Sequence, residues 1–297
     1  MSSYYPSTPS MPPAPSRRRR SRQLGRYLWL IGLIVLAVLS IHLLHSRGKS
    51  SAAPRPAQTA AQRRRALAAL NTQINGILAA NPGVDISVTV TDIHSDQSQS
   101  YGPAVPYEAA SVAKLITAAD YLHQVEAGTQ SLQTELEDGN TAAYDLKQMI
   151  VVSDNNAWQS LTDQLTLDSL GNYAASIGIN DYDLNDNTLQ TSDIALLLQK
   201  LYTHQLLNTA NTNLLLGYMK IANEAGFIVP AVPKDVTVYH KAGILDDRIH
   251  DAAIIADPVT PLALVIFTNG HGAGNDAART AAIQSITKDV LAAYDIK

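Results

Sequence analysis

The chain has 297 residues, a formal net charge of −4 and no cysteine, which excludes disulfides, zinc–thiolate sites, iron–sulfur clusters and a cysteine nucleophile. Residues 1–65 hold 12 of the 22 basic side chains and none of the 26 acidic ones, so residues 66–297 carry a formal −16. A body that acidic repels phosphate backbones, which argues against nucleic acid as its partner.

Residues 1–26 combine Ser, Pro and Tyr with the basic run Arg17–Arg20, a composition that predicts a disordered basic tail. Residues 27–44 carry no formal charge over 18 positions, about the minimum that crosses a bilayer core, with Tyr27 and Trp29 near one end as interfacial aromatics. Six arginines within residues 17–26 precede this span, whereas Arg47, Lys49, Arg55, Arg63, Arg64 and Arg65 follow it. The denser cluster leads, so the expected topology is a single-pass cell-membrane protein with its N-terminus inside and its body extracytoplasmic. Small residues at 50–53 would suit cleavage of a signal peptide, but Arg47 and Lys49 directly after the apolar run disfavour it, and the expectation is an uncleaved anchor. Residues 45–60 then read as a Ser/Ala/Pro linker, and residues 61–297 as the folded body.

Within the body, Leu67, Leu70, Ile74 and Leu78 fall on one helical face and predict a helix over 61–80, ending before Asn81-Pro82-Gly83. Residues 85–93 alternate as a strand should, and 97–101 is placed to pair with them as a hairpin. Helical patterns dominate from 111 to about 218, opening with a helix over 111–124. Strand signals return at 236–241, 251–256 and 262–268, and a helix over 276–294 follows. Strands at both ends of the body favour an α+β fold on an antiparallel sheet, with the helical block inserted between its second and third strands.

Three short segments carry chemistry. Ser111-Val112-Ala113-Lys114 puts a lysine one helical turn from a serine, where a desolvated amine can take the hydroxyl proton and backbone N–H groups at the helix start can stabilise an oxyanion. Ser153-Asp154-Asn155 offers a proton relay and an amide-binding side chain, although the same triplet is good helix-capping chemistry. His240-Lys241-Ala242-Gly243 ends a strand with a positive charge and a glycine that admits a close backbone approach. Other signals carry less. Residues 270–274 are Gly-rich, but Asn275 and the absence of a second strand with a ribose-binding acid argue against a dinucleotide site. His240, His250 and His271 read as ordinary polar residues, and Trp158, Leu161 and Leu165 as core; no cofactor and no metal is expected.

The ordered triple resembles the penicillin-recognising serine hydrolases, the family of class A β-lactamases and D-alanyl-D-alanine peptidases with S-x-x-K, S-D-N and K-T-G motifs. The resemblance covers essentially residues 61–297, and Tyr107-Glu108-Ala109-Ala110 and Thr191-Ser192-Asp193 extend it. It implies a β-lactamase/transpeptidase-like fold, a five-stranded antiparallel sheet flanked by terminal helices with an inserted all-helical subdomain. It also implies Ser111 as nucleophile, Lys114 as base, Ser153 as proton shuttle and Asn155 on the substrate amide. Lys241 would bind the substrate carboxylate, with Gly243 beside it, and the backbone N–H groups of Ser111 and Ile244 would form the oxyanion hole. The implied substrate is a β-lactam or a D-Ala-terminated cell-wall peptide; the oligomeric state stays open. Ala242 stands where the family has Thr or Ser, which removes a hydroxyl contact worth about 1–3 kcal/mol. No glutamate lies between Glu137 and Glu224 to serve deacylation; Asp181, first residue of an E-x-x-L-N-like stretch, is the candidate in its place. These departures motivate a competing reading, a non-catalytic tethered module that binds cell-wall peptide or a partner.

Overall fold

The computed structural model describes residues 58–220, 222, 226–272, 274 and 276–297. The chain divides into residues 1–55 and 56–297, and every described residue belongs to the second unit. The basic tail and the span at 27–44 lie outside the described residues, and no helix among those described is long and apolar enough to cross a membrane.

Helix α1 (Ala60–Ala80) starts at a capping box in which Thr59 Oγ1 accepts from Gln62 N and Thr59 N donates to Gln62 Oε1. Strands β1 (Asp85–Asp92) and β2 (Gln97–Tyr101) form the expected hairpin. A two-residue strand β3 (Tyr107–Glu108) leads into a 3-10 turn (Ala110–Ala113), then α2 (Lys114–Glu126), α3 (Ala142–Val151), α4 (Asn155–Leu165) and α5 (Leu167–Ser176). Strand β4 (Thr188–Leu189) pairs with β3, and α6 (Thr191–Tyr202) and α7 (Thr209–Lys220) complete the helical block. Strands β5 (Thr237–Leu245), β6 (Arg248–Ala256) and β7 (Leu262–Asn269) and helix α8 (Asp276–Ala293) follow.

The sheet is antiparallel throughout with order β2-β1-β7-β6-β5, so the first hairpin docks on the last strand and β5 forms an edge. Strand β7 carries no polar alternation, since both of its faces are covered. Leu262, Leu264 and Ile266 join the core shared with α1 and α8, whereas Ala263, Val265 and Phe267 join the core of the helical block. Burying an aliphatic side chain of this kind contributes about 1.5–3 kcal/mol, so this doubly covered strand anchors both layers. On β1 the inner face is polar instead, and its hydroxyls are matched by the start of α6: Thr191 Oγ1 lies 2.8 Å from Thr89 Oγ1 and 3.1 Å from Ser87 Oγ.

Three differences from the sequence reading bear on the site. Ser111 lies on a 3-10 turn and the α-helix begins only at Lys114, although the i, i+3 relation survives because a 3-10 turn eclipses those positions. Strand β5 runs to Leu245, so Lys241 sits inside it rather than at its end, held by pairing with β6 from Thr237–Ala256 to Leu245–Arg248. The two-residue β3–β4 ladder was not foreseen, being too short to leave a periodic signal. Arg63, counted among the charges after the span, belongs to the body: its guanidinium contacts Asp92 at 2.7 Å and stacks 3.8 Å over Tyr294.

Candidate active site

The first two motifs meet at the amine of Lys114, and the third joins them through Lys241 at the Ser153 hydroxyl. Lys114 is fully buried, and its Nζ lies 3.1 Å from Ser111 Oγ, 2.6 Å from the Ser153 carbonyl oxygen, 2.7 Å from Asn155 Oδ1 and 3.3 Å from Ser153 Oγ. Four oxygens face a group with at most three N–H bonds. The two shortest contacts reach oxygens that only accept, so they fix the direction of two N–H bonds and leave the remaining position towards the serine hydroxyls. An amine so held presents a lone pair to a hydroxyl whenever it is neutral. Lys241, also fully buried, donates to Ser153 Oγ at 2.8 Å and to the Ala242 carbonyl at 2.8 Å. Ser153 Oγ is therefore shared by two buried amines, the arrangement required of a hydroxyl that passes protons between them. Full burial beside each other works against both amines carrying charge at once.

The backbone around this centre is held in uncommon conformations. Ala110, directly before Ser111, has φ 49°, and Ser153 has φ 60°, both in the left-handed region that a side chain disfavours. The first is braced from several sides. Asn187 Nδ2 donates to the Ala110 carbonyl at 3.1 Å, Ala109 N donates to the Asn187 carbonyl at 2.8 Å, and Tyr182 OH donates to Asn187 Oδ1 at 3.1 Å. His250, fully buried, adds a fourth strut. Its Nδ1 accepts from Thr268 N at 3.1 Å, which leaves the proton on Nε2 to donate to the Glu108 carbonyl at 2.9 Å. Burial holds this imidazole neutral, down to about 4, against the hydrogen bonds to Glu108 and Ile249 that favour its charged form. At Ser153 the S-D-N triplet serves both of the uses its sequence allowed. Asp154 Oδ1 caps α4 by accepting from Asn156 N and Ala157 N at 2.7 and 3.1 Å, which turns Ser153 and Asn155 onto Lys114.

Gly243 explains how β5 reaches the nucleophile. A Cβ there would lie 3.0 Å from the Ala109 carbonyl oxygen and 3.2 Å from Ser111 N, tighter than ordinary contacts, so glycine suits the close approach of the strand. The next residue, Ile244, lines a cleft of about 700 Å³ together with Ser111, Asn155, Trp158 and Asn187. Ala242 is fully buried and presents no hydroxyl.

Asp181 is exposed and is not among the residues that line this cleft; the acid that lines it is Asp163. Trp158 was read as core and does pack on it, donating from Nε1 to Thr117 Oγ1 at 2.9 Å, but it also lines the cleft with its ring centroid 5.2 Å from Lys114 Nζ. Neither Asn187 nor His250 was singled out for the site, because each acts on the turn before Ser111 through main-chain contacts with no local pattern. His240 pairs with the buried Asp251 at 3.3 Å and His271 with Asp85 at 2.8 Å. No group of three or more His, Cys, Asp or Glu among the described residues is arranged to hold a metal.

Residues 69–294 match the family model described as the beta-lactamase enzyme family. No curated protein sequence matches the chain. Among solved structures, a variant of the last common ancestor of Gram-negative bacteria class A β-lactamase is similar at 21% identity and a TM-score of 0.69, covering 76% of this chain and 98% of that one. A β-lactamase from Xanthomonas campestris pv. campestris is similar at 20% identity and 0.69, with 77% and 97% covered. A mutant of PBP-A, solved as an acyl-enzyme complex with penicillin G, is similar at 20% identity and 0.68, again with 77% and 97% covered. At these identities the likeness is one of fold, and it is the β-lactamase/transpeptidase-like α+β fold.

Proposed function

The chain belongs to the β-lactamase enzyme family, and on that premise we propose that it is a serine acyl-hydrolase that forms an acyl-enzyme on Ser111 with a β-lactam or a D-Ala-terminated peptide. The observation that carries this reading is Lys114, fully buried and 3.1 Å from the Ser111 hydroxyl. A solvated lysine would have suited the binding module instead.

In this mechanism neutral Lys114 takes the Ser111 proton as Oγ attacks the carbonyl carbon of the amide or lactam. Negative charge gathers on the former carbonyl oxygen, which the backbone N–H groups of Ser111 and Ile244 receive. Ser153 passes a proton to the departing nitrogen as the C–N bond breaks, drawing on the amines of Lys114 and Lys241 that meet at its hydroxyl. The product is an ester on Ser111, and water or an acceptor amine then takes the acyl group. Asn155 orients the substrate amide, and Lys241 with Gly243 receives the far end of the substrate. Asp181 remains the proposed deacylation base by analogy, but its exposed position outside the cleft favours slow deacylation, so the acyl-enzyme should accumulate. The likeness to a fold whose PBP-A representative was captured as a penicillin G acyl-enzyme supports the same expectation.

The test is a chromogenic cephalosporin given in excess to wild type and Ser111→Ala. One equivalent of product released in a burst, absent from the variant and followed by slow turnover, is the expected result. No Ser111-dependent release with this or any other β-lactam would contradict the proposal.

We also propose that residues 27–44 tether the enzyme to the cell membrane with its body outside. Apolar length and the leading arginine cluster support this. Full-length chain should pellet with membranes, resist carbonate extraction and be cut from intact spheroplasts by external protease; release into the soluble fraction would contradict it.

A further inference from the structure

A second cavity, of about 480 Å³, shares Asn187 with the cleft at Ser111 and otherwise has a lining of its own. One side of it is a single row across the sheet. Asp85 of β1 is paired with Asn269 of β7, and Asn269 with Arg248 of β6. Cross-strand partners share a face, and Asn269 stands two residues beyond Phe267, so the row looks towards the helical block. Tyr107 and Glu108 of β3 and residues 185–188 supply the facing walls.

The lining holds three acids, Asp85, Glu108 and Asp186, against one base, Arg248, which is already engaged with Glu108 at 3.0 Å. Two carboxylates are left over. Asp85 accepts at Oδ2 from His271 Nε2 at 2.8 Å, which leaves Oδ1 open, and the Asp186 carboxylate accepts no hydrogen bond among the described residues.

Tyr107 distinguishes this cavity from an ordinary acidic surface. It lines the cavity yet is only 5% exposed, and its hydroxyl has no hydrogen-bond partner among the described residues. A buried hydroxyl left unpaired is costly and uncommon in a folded protein. Burial, then the nearby Asp85 carboxylate, raise its pKa, so the phenol stays neutral with an oxygen able to accept.

A carboxylate or phosphate in this cavity would meet the acids with Arg248 already engaged, and an apolar group would strand them from water. No group of three or more His, Cys, Asp or Glu among the described residues is arranged to hold a metal ion. An organic cation fits instead, with ammonium N–H bonds for Asp85 and Asp186 and for the Tyr107 oxygen. The volume falls in the range of about 300–1,000 Å³ that holds small organic ligands.

We infer that this cavity is a binding site for a small organic diamine, its two ammonium groups answering the two carboxylates left over. The site is separate from the cleft at Ser111 and does not depend on the acylation proposed there.

The experiment titrates the full chain with cadaverine by calorimetry, in neutral detergent and at about 0.15 M salt, which screens loose attraction to exposed acids. One saturable site of millimolar affinity or tighter is expected, with no binding of pentanediol or glutarate. Asp186→Asn should weaken it about fivefold and Tyr107→Phe about threefold. The Tyr107 hydroxyl has no partner to lose in the free protein, so Tyr107→Phe should melt no lower than wild type. Glu137→Gln, an equal loss of charge at an exposed position outside the cavity, should bind as wild type does. Absence of saturable binding, equal weakening by Glu137→Gln and Asp186→Asn, or wild-type affinity in Tyr107→Phe would each overturn the site. Pentanediol binding as tightly as cadaverine would overturn the assignment of a cation.

Discussion

Two buried amines and one hydroxyl between them define the chemistry of a single side chain, Ser111. Lys114→Met keeps the length and removes the nitrogen, so the Ser111 proton loses its acceptor. Acylation by a β-lactam should slow by about 10²–10⁴ in stopped-flow measurements, the usual range for loss of a positioned base. Ser153→Ala leaves Lys114 in place but removes the shared hydroxyl, and should slow acylation less than Lys114→Met does. Equal rates in Lys114→Met and wild type would remove the lysine from the mechanism. At this scale the sequence was most informative where chemistry lies in short motifs: the segments at 111–114, 153–155 and 241–243 meet in space. Trp158, Asn187 and His250 were not legible as site residues because their partners, Lys114, Ala110 and Glu108, are 44, 77 and 142 positions away.

The element that carries the nucleophile is a 3-10 turn wedged between β5 and the β3–β4 ladder. Its entry at Ala110 is strained, and Asn187 and His250 hold it there through hydrogen bonds to the backbone, with Tyr182 bracing the Asn187 side chain. Glycine at 243 lets β5 lie against it. Gly243→Ala would place a methyl carbon 3.0 Å from the Ala109 carbonyl oxygen and 3.2 Å from Ser111 N, both backbone atoms that yield less readily than the tip of a long side chain. Relieving that overlap costs about 1–3 kcal/mol. We expect a melting point lower by several degrees and acylation slowed at least tenfold, read by thermal denaturation and stopped-flow kinetics. Unchanged acylation would show that β5 need not approach the turn. Helix and strand periodicity predicted the first and last helices, the β1–β2 hairpin and the three later strands, but gave residues 111–218 as one helical block without dividing it into its helices. What it could not give were the 3-10 start, the extension of β5 to Leu245 and the ladder at 107–108 with 188–189, each set by a tertiary partner rather than by local pattern.

For the molecule as a whole, two buried groups pull stability in opposite directions with pH. Asp145 on α3 is almost fully buried, and burial, then Asp138, then Asp154 push it up to about 6. Its folded value lies above the unfolded 3.8, so its contribution is intact below about pH 4 and lost as pH rises through 6, about 3 kcal/mol in all. His250 behaves oppositely. Held down to about 4 in the fold against 6.5 unfolded, it stabilises above pH 6.5, and about 3 kcal/mol is lost as pH falls towards 4. In the wild type the two largely offset between pH 4 and 6.5. Asp145→Asn removes one of them and offers Asp138 an amide donor. It should be more stable than wild type by about 2–3 kcal/mol at pH 7–8, and should lose stability more steeply on acidification. Urea unfolding across pH 4.5–8 reads both, and parallel curves for the two proteins would contradict the assignment.

The central claim is that Ser111 is acylated, and intact mass spectrometry with peptide mapping after exposure to a fluorescent penicillin tests it most directly. The account predicts a wild-type mass increase of one penicilloyl group located on Ser111, absent from Ser111→Ala and delayed in Lys114→Met. An adduct at another residue, or an adduct that persists in Ser111→Ala, would contradict it.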